Sequence, residues 1–181
     1  MGTLQAAPDA LLFQAAAVND PDLFTRTGSL LENAYGPLLA QYGPFRFDAF
    51  SSYYRAEMGA SLWKMFSIFS RVITPEHIHR YKLESQSIES RFSRGGKRRL
   101  NLDPGYLTLY QLSLLTTKAF SHRTYLADGI YAECTLIAKG RGYEPLPWTY
   151  PDYQTPEALA FFQNSKSFLK NKLRETEPCA P

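Results

Sequence analysis

The longest apolar stretch in the chain runs from Ala10 to Val18 and is broken only by Gln14. A run of this length without alternation predicts a buried first strand. Asp20-Pro21-Asp22 then opens a helix, with a capping carboxylate, Pro at the first helical position and an acid in the first turn. Leu23, Thr27, Leu30, Leu31 and Ala34 fall on one face of it, and Gly36-Pro37 stops it. Gly28 sits inside this helix at a cost of about 1 kcal/mol relative to Ala. The same opening recurs at Thr74-Pro75-Glu76, where Ile78, Tyr81, Ile88 and Phe92 form a stripe up to Gly95-Gly96. It recurs again at Thr155-Pro156-Glu157, where Leu159, Phe162, Leu169 and Leu173 face inward.

Residues 38–47, with Phe45 and Phe47 flanking Arg46, and residues 62–73, rich in strand formers, predict the second and third strands. Residues 98–103 predict a fourth. It is expected to end in a turn at Asp103-Pro104-Gly105-Tyr106, since Pro presets φ and Gly accepts a positive one. In 107–117, Leu109, Leu112 and Leu115 recur every third residue and predict a short helix. Residues 123–126 and 130–137 predict a hairpin. A two-residue Asp128-Gly129 turn would put Arg123 opposite Cys134 on the apolar side, a costly place for an unpaired guanidinium. A three-residue loop with Gly129 left-handed pairs Leu126 with Ile130, Tyr125 with Tyr131 and Arg123 with Glu133. That register is the expected one, and it leaves Leu126, Ile130, Ala132, Cys134 and Leu136 together on the core side. The element order predicts an α+β protein. It is a ferredoxin-like β-α-β-β-α-β sandwich with an antiparallel-rich sheet, extended by a C-terminal β-hairpin and helix. Residues 1–175 are expected to form one domain and 176–181 a flexible tail.

Composition narrows the class. At 181 residues and 44% hydrophobic, the chain can bury a full core and is not of disordered type. Twenty Lys and Arg against seventeen Asp and Glu leave +3, too slight for a protein that coats nucleic acid. Cys134 and Cys179 lack disulfide or zinc spacing. No apolar run approaches the roughly 20 residues of a spanning helix, and the N-terminus shows no leader pattern. The expectation is a cytoplasmic protein with no membrane partner.

The candidate chemistry centres on the fourth strand, where alternation puts Leu100 and Leu102 on one face and Arg99, Asn101 and Asp103 on the other. An open sheet face carrying a guanidinium, an amide and a carboxylate suits a phosphate-bearing small ligand, a nucleotide above all. The expected ligand-binding set is Lys97, Arg99, Asn101, Asp103, Tyr106, Arg123, Tyr125, Tyr131 and Glu133. His122 is the candidate general base. Asp103, Glu133 and Glu57 are the carboxylates for acid–base work or for a divalent cation such as Mg²⁺. Tyr53, Tyr54 and Glu57 could lie over the sheet as a lid. His77 and His79, two residues apart, point to different sides, so no metal site is expected there. Lys97-Arg98-Arg99 could equally be solvated cations, above all Arg98, and Trp148 and Tyr150 are expected to anchor a connection in the core. The alternatives are an RNA-binding module, for which the RNP1-type pattern is absent, and a protein-interaction scaffold.

Four segments, FSSYYRAEMG, GGKRRLNLDPGYLTL, FSHRTYLADGIYAECTL and WTYPDY, together resemble the prokaryotic domain-of-unknown-function family 4416 over nearly the whole chain. The resemblance implies no particular reaction. Some members carry a GTP-binding label, but a phosphate loop would need G-x-x-x-x-G-K-[ST]. Here Arg91 stands at the first Gly, Arg98 follows Gly96-Lys97, and Asn171-Lys172-Leu173-Arg174 lacks the Asp of a guanine-reading NKxD.

Overall fold

A computed structural model describes residues 2–50, 58–59 and 61–176. The expectations for Tyr53, Tyr54 and Glu57, for Cys179 and for the tail beyond 176 lie outside those residues. Among the described residues, eight strands pair into one sheet: β1 (Ala10–Val18), β2 (Leu38–Arg46), β3 (Trp63–Ile73), β4 (Leu100–Leu107), β5 (Gln111–Thr116), β6 (Arg123–Ala127), β7 (Ile130–Lys139) and β8 (Gly142–Pro145). Three helices pack on it: α1 (Asp22–Tyr35), α2 (His79–Arg91) and α3 (Pro156–Thr176). The strand order is β2-β3-β1-β4-β5-β7-β6, β8 also pairs with β7, and every one of these pairings is antiparallel. The chain is thus a mixed α/β protein on an antiparallel sheet. No helix among the described residues is long and apolar enough to cross a membrane.

β1 is buried throughout, and apolar but for Gln14, because it lies between β3 and β4 with helices on both sides. Leu12, Ala16 and Val18 pack with Leu23, Phe24 and Leu31 of α1 and Ile88 of α2. Phe13 and Ala15 point the other way, into a cluster with Ala158, Phe162 and Leu169 of α3. Burial of each large side chain stabilises the fold by roughly 1.5–3 kcal/mol. The sheet face expected to lie open therefore carries α3.

Three local readings are corrected. The helix expected in 107–117 is a tight turn followed by β5. Thr108 Oγ1 accepts from the backbone N–H groups of Tyr110 and Gln111, and Leu112 and Leu114 then face α3 while Leu115 faces α1 and α2. Burial on both faces erased the alternation that marks a strand. The turn expected at Asp103-Pro104-Gly105-Tyr106 is the middle of β4, which starts at Leu100 and not at Arg98. Gly105 is needed there because a Cβ would lie 2.2 Å from the carbonyl oxygen of Ser113 on β5.

The hairpin reaches the expected pairing by another route. Asp128 and Gly129 both have positive φ, so the turn has two residues and Ala127 pairs with Ile130. A bulge at Leu126 then restores Tyr125 opposite Tyr131 and Arg123 opposite Glu133, and leaves Leu126 part-exposed instead of in the core. A second irregularity, at Thr135, turns β7 over. Leu136 consequently joins the α3 side, while Ile130 and Ala132 stay with α1 and α2.

The feature that shapes the site is a parting of the sheet. β4 and β5 pair only from Gly105 to Leu107, so, among the described residues, 100–104 pair with β1 alone. Side chains of α2 close the open edge. Glu89 Oε1 accepts from the Leu102 N–H at 2.5 Å, and Lys82 Nζ donates to the Leu102 carbonyl at 2.7 Å.

Two glycine substitutions test this geometry by urea denaturation. Gly105→Ala is expected to destabilise by about 3 kcal/mol, the upper end of overpacking. Gly28→Ala meets nothing within 4 Å and is expected to stabilise by up to about 1 kcal/mol. A neutral Gly105→Ala would mean that β5 does not approach β4 this closely.

Candidate functional site

The sheet register sets out the floor of the site. Lys64 on β3, Ala17 on β1 and Asn101 on β4 form one row, and Phe66, Ala15 and Asp103 form the next. The small side chains of β1 leave space over the middle of these rows. Because β5 has turned away, that space becomes a cavity of about 210 Å³, with a second of about 100 Å³ adjoining it. Both are lined by Asn101, Asp103, Leu114, Lys118, Arg123 and Tyr150. A single 3-10 turn at Pro151–Tyr153, between β8 and α3, supplies the opposite wall and brings Tyr153 into the larger cavity.

The charges here are held in place by specific partners. Lys64 Nζ lies 2.6 Å from Asp152, over the rings of Phe47 (4.4 Å) and Tyr153 (4.9 Å). Lys82 Nζ is 3.0 Å from Asp103 Oδ1, and Asn101 Nδ2 donates to Asp103 Oδ2 at 2.7 Å. Arg98 donates to Asn101 Oδ1 at 3.0 Å, so it is not the solvated cation expected. Arg123 donates through Nε to Glu133 Oε2 (2.7 Å) and through its two terminal nitrogens to the Lys118 carbonyl (3.0 Å) and the Tyr150 hydroxyl (3.2 Å). Three of its five N–H groups are thereby used within the protein. His122 Nε2 lies 3.1 Å from the same Glu133 oxygen, its ring stacked on Trp148 at 5.1 Å.

Burial alone would raise the pKa of Asp103, but the Lys82 ammonium and its hydrogen bond, aided by Lys64 and Asn101, bring it below the ordinary value. Glu89 goes the other way: burial raises its pKa and Lys82 only partly offsets this. Burial also raises the pKa of Tyr150, with the Glu133 charge adding to it. Three buried polar atoms have no hydrogen-bond partner among the described residues: Glu133 Oε1, the Tyr153 hydroxyl and, in the cleft with Lys97 and Arg99, Asn19 Oδ1.

Of the residues singled out by sequence, Asn101, Asp103, Arg123 and Glu133 meet at the cavities, and His122 stands behind Glu133. Lys97 and Arg99 lie apart from them, in a cleft with Arg94, Arg98 and Asn19, and Arg99 pairs with Asp20 at 3.0 Å. The separation follows from the Gly95-Gly96 turn, closed by an Arg94–Lys97 bridge, and from the late start of β4. Tyr106 packs on the α1–α2 side with Leu100 and Leu102, as strand alternation requires. Tyr125 and Tyr131 stack edge to face at 5.3 Å out on the hairpin. Trp148 and Tyr150 are 39% and 44% exposed, so they do not anchor the connection in the core.

Sequence reasoning missed Lys64, Lys82, Lys118, Tyr150 and Tyr153. Two signals were available. Lys64 is a buried cation at the head of the apolar run Met65–Phe69 of β3, and Lys82, Ser85 and Glu89 form a polar stripe along one face of α2. Among the described residues, no three His, Cys, Asp or Glu side chains gather into a metal-holding group.

The family model described as Domain of unknown function (DUF4416) matches residues 8–168. No curated protein and no solved structure matches the chain.

Lys82→Met is expected to lower stability at neutral pH by about 2–3 kcal/mol, because it strands a buried carboxylate and the Leu102 carbonyl. The figure is below that of a fully buried pair because Asp103 is 30% exposed. Asp103 has a depressed pKa when folded, so its contribution is present above its unfolded pKa and is lost as pH falls through the folded one. The gap between variant and wild type should therefore shrink below the ordinary carboxylate range. Urea midpoints measured from neutral pH down to about pH 3 check this, and a gap that stays constant or widens on acidification would exclude it.

Proposed function

Because the chain belongs to the DUF4416 family, a family of unknown function, we propose its function from the site alone: it binds a small phosphate-bearing ligand in the cavity where β4 and β5 part. The observation that carries this reading is the lining of the larger cavity. Lys64, Lys118 and Arg123 face a space bounded by Phe47, Leu114, Tyr150 and Tyr153. Cations beside apolar and aromatic walls attract an anion more strongly than the same cations in water. Arg123 keeps two N–H groups for phosphate oxygens, and Lys118 stands at the rim. A nucleotide would lay its base against the aromatic wall. Asp103 and Glu133 would orient its hydroxyls or hold a divalent cation such as Mg²⁺, and they are the groups within reach for acid–base work. His122 positions Glu133 from behind.

The architecture is consistent with this placement. We read β1 to β4 with α1 and α2 as a ferredoxin-like unit, a reading supported by the order β2-β3-β1-β4. The later strands and α3 are the extension, and the cavity lies at the junction. The ligand class fits a cytoplasmic protein.

Thermal shift and calorimetry with nucleotides, sugar phosphates and inorganic phosphate, with and without Mg²⁺, test the proposal. Lys118 is exposed, so Lys118→Ala is expected to leave the melting temperature nearly unchanged while weakening binding about tenfold, or about 1.4 kcal/mol. No response to any phosphate compound, or unchanged binding by the variant, would remove the reading. Salt-dependent retention of single-stranded RNA without a small-phosphate response would favour an RNA-binding module instead.

A further inference from the structure

We infer that Tyr153 and Glu133 read two different parts of one ligand, and that this ligand is a compact hydroxylated phosphate monoester, of the sugar- or polyol-phosphate class. The inference rests on the phosphate reading above and adds the chemistry of the rest of the molecule.

Of the three buried atoms without partners among the described residues, the two beside these cavities have opposite needs. Tyr153 lines the larger cavity, its hydroxyl is buried without a partner among the described residues, and the Lys64 ammonium lies over its ring. Burial, reinforced by the charges of Asp152 and Asp103, pushes its pKa well above the ordinary tyrosine value, so the group remains an O–H donor. Lys64 has three N–H donors and gives one to Asp152. Both residues line the same cavity, and a phenol and an ammonium can each donate to anionic oxygens there. Glu133 borders the smaller cavity and has the reverse deficit. Its Oε2 faces Arg123 and His122, while Oε1 has no partner among the described residues.

A carboxylate oxygen accepts and never donates, so its complement is an O–H or N–H group. A phosphate dianion brings no such proton; a hydroxyl carried beside it does. Buried polar atoms in folded proteins are seldom left unpaired, so two of them on adjoining cavities mark positions for ligand atoms. The shared lining of Asn101, Asp103 and Arg123 places the two spaces side by side. Cavities of about 210 and 100 Å³ lie at the small end of ligand pockets, which begin at roughly 300 Å³. A sugar phosphate suits that size better than a nucleoside triphosphate.

Calorimetry on wild type, Tyr153→Phe and Glu133→Gln with ribose 5-phosphate and its hydroxyl-free analogue, tetrahydrofurfuryl phosphate, tests the assignment. Wild type is expected to bind ribose 5-phosphate at least about tenfold tighter than the analogue. Tyr153→Phe should weaken both compounds by about tenfold, and Glu133→Gln should abolish the preference between them. A second readout is the melting temperature without ligand. Tyr153→Phe removes a hydroxyl that has no partner among the described residues, so the temperature should hold or rise, whereas a structural hydroxyl would lower it. Undiminished binding by Tyr153→Phe, a lower melting temperature for it, or no hydroxyl preference in wild type would each overturn the inference. If nucleotides bind wild type with no hydroxyl preference, only this inference falls. If neither phosphate, sugar phosphate nor nucleotide binds, the phosphate reading falls and takes this one with it.

Discussion

Where β5 turns away from β4, the N–H and C=O of Leu102 have no neighbouring strand on that side, and Glu89 and Lys82 of α2 take its place. Both backbone groups are buried, and left unpaired each would cost as much as a lost hydrogen bond. Satisfied by another strand, they would extend the sheet and fill the cavity. The two side chains stand seven residues apart on α2, close to two full turns, so one face of the helix presents an acceptor and a donor together. Lys82 also reaches Asp103 on the cavity floor. The strand edge, the docking of α2 and the charge of the floor therefore share one ammonium group.

The charges around the cavity are poor investments in stability. Glu133 and Asp152 are almost fully buried, Asp103 is partly so, and each leans on its own cation. Removing such groups from water costs about as much as their attraction returns, and apolar residues of the same shape would hold the fold as well. What the arrangement supplies is fixed geometry. Arg123 illustrates this, since its three hydrogen bonds tie β6 to β7, to the segment before β6 and to the link before α3. A guanidinium held at three points presents its remaining N–H groups in one orientation, which is the requirement for a pre-formed site.

The helices were legible in the sequence because their signals are local. The Asp20-Pro21-Asp22 and Thr155-Pro156-Glu157 openings stand at the starts of α1 and α3, and Thr74-Pro75-Glu76 precedes α2 by a short 3-10 turn. The continuous apolar run of β1 and the cross-strand pair Arg123–Glu133 were legible too, through burial and pleat. What misled was tertiary context. Asp-Pro-Gly is a turn sequence wherever the chain is free to turn, yet in β4 the neighbouring strand stops beside it and Gly105 serves close approach. β5 lost its alternation to burial on both faces. The site was half legible for a related reason. Asn101 and Asp103 follow from the alternation of a single strand, but Lys97 and Arg99, their neighbours in sequence, leave that face before the strand begins.

The rest of the site comes from a segment that has no chemistry of its own when read locally. Tyr150, Asp152 and Tyr153 belong to the link between β8 and α3, and each is bound to a different part of the sheet. Tyr150 accepts from Arg123 of β6, Asp152 holds Lys64 of β3, and the Tyr153 ring stacks on Phe162 of α3 at 5.9 Å and lies 4.6 Å from Phe66. The wall of the cavity is thus continuous with the core that docks α3. A ligand that fills the cavity touches this wall, so by linkage its binding energy adds to the docking of α3, and loosening α3 must in turn weaken binding. The residues that make a site here are those that converge on one wall from β3, β6 and the link, and convergence of that kind is a property of the packed fold rather than of any window of sequence.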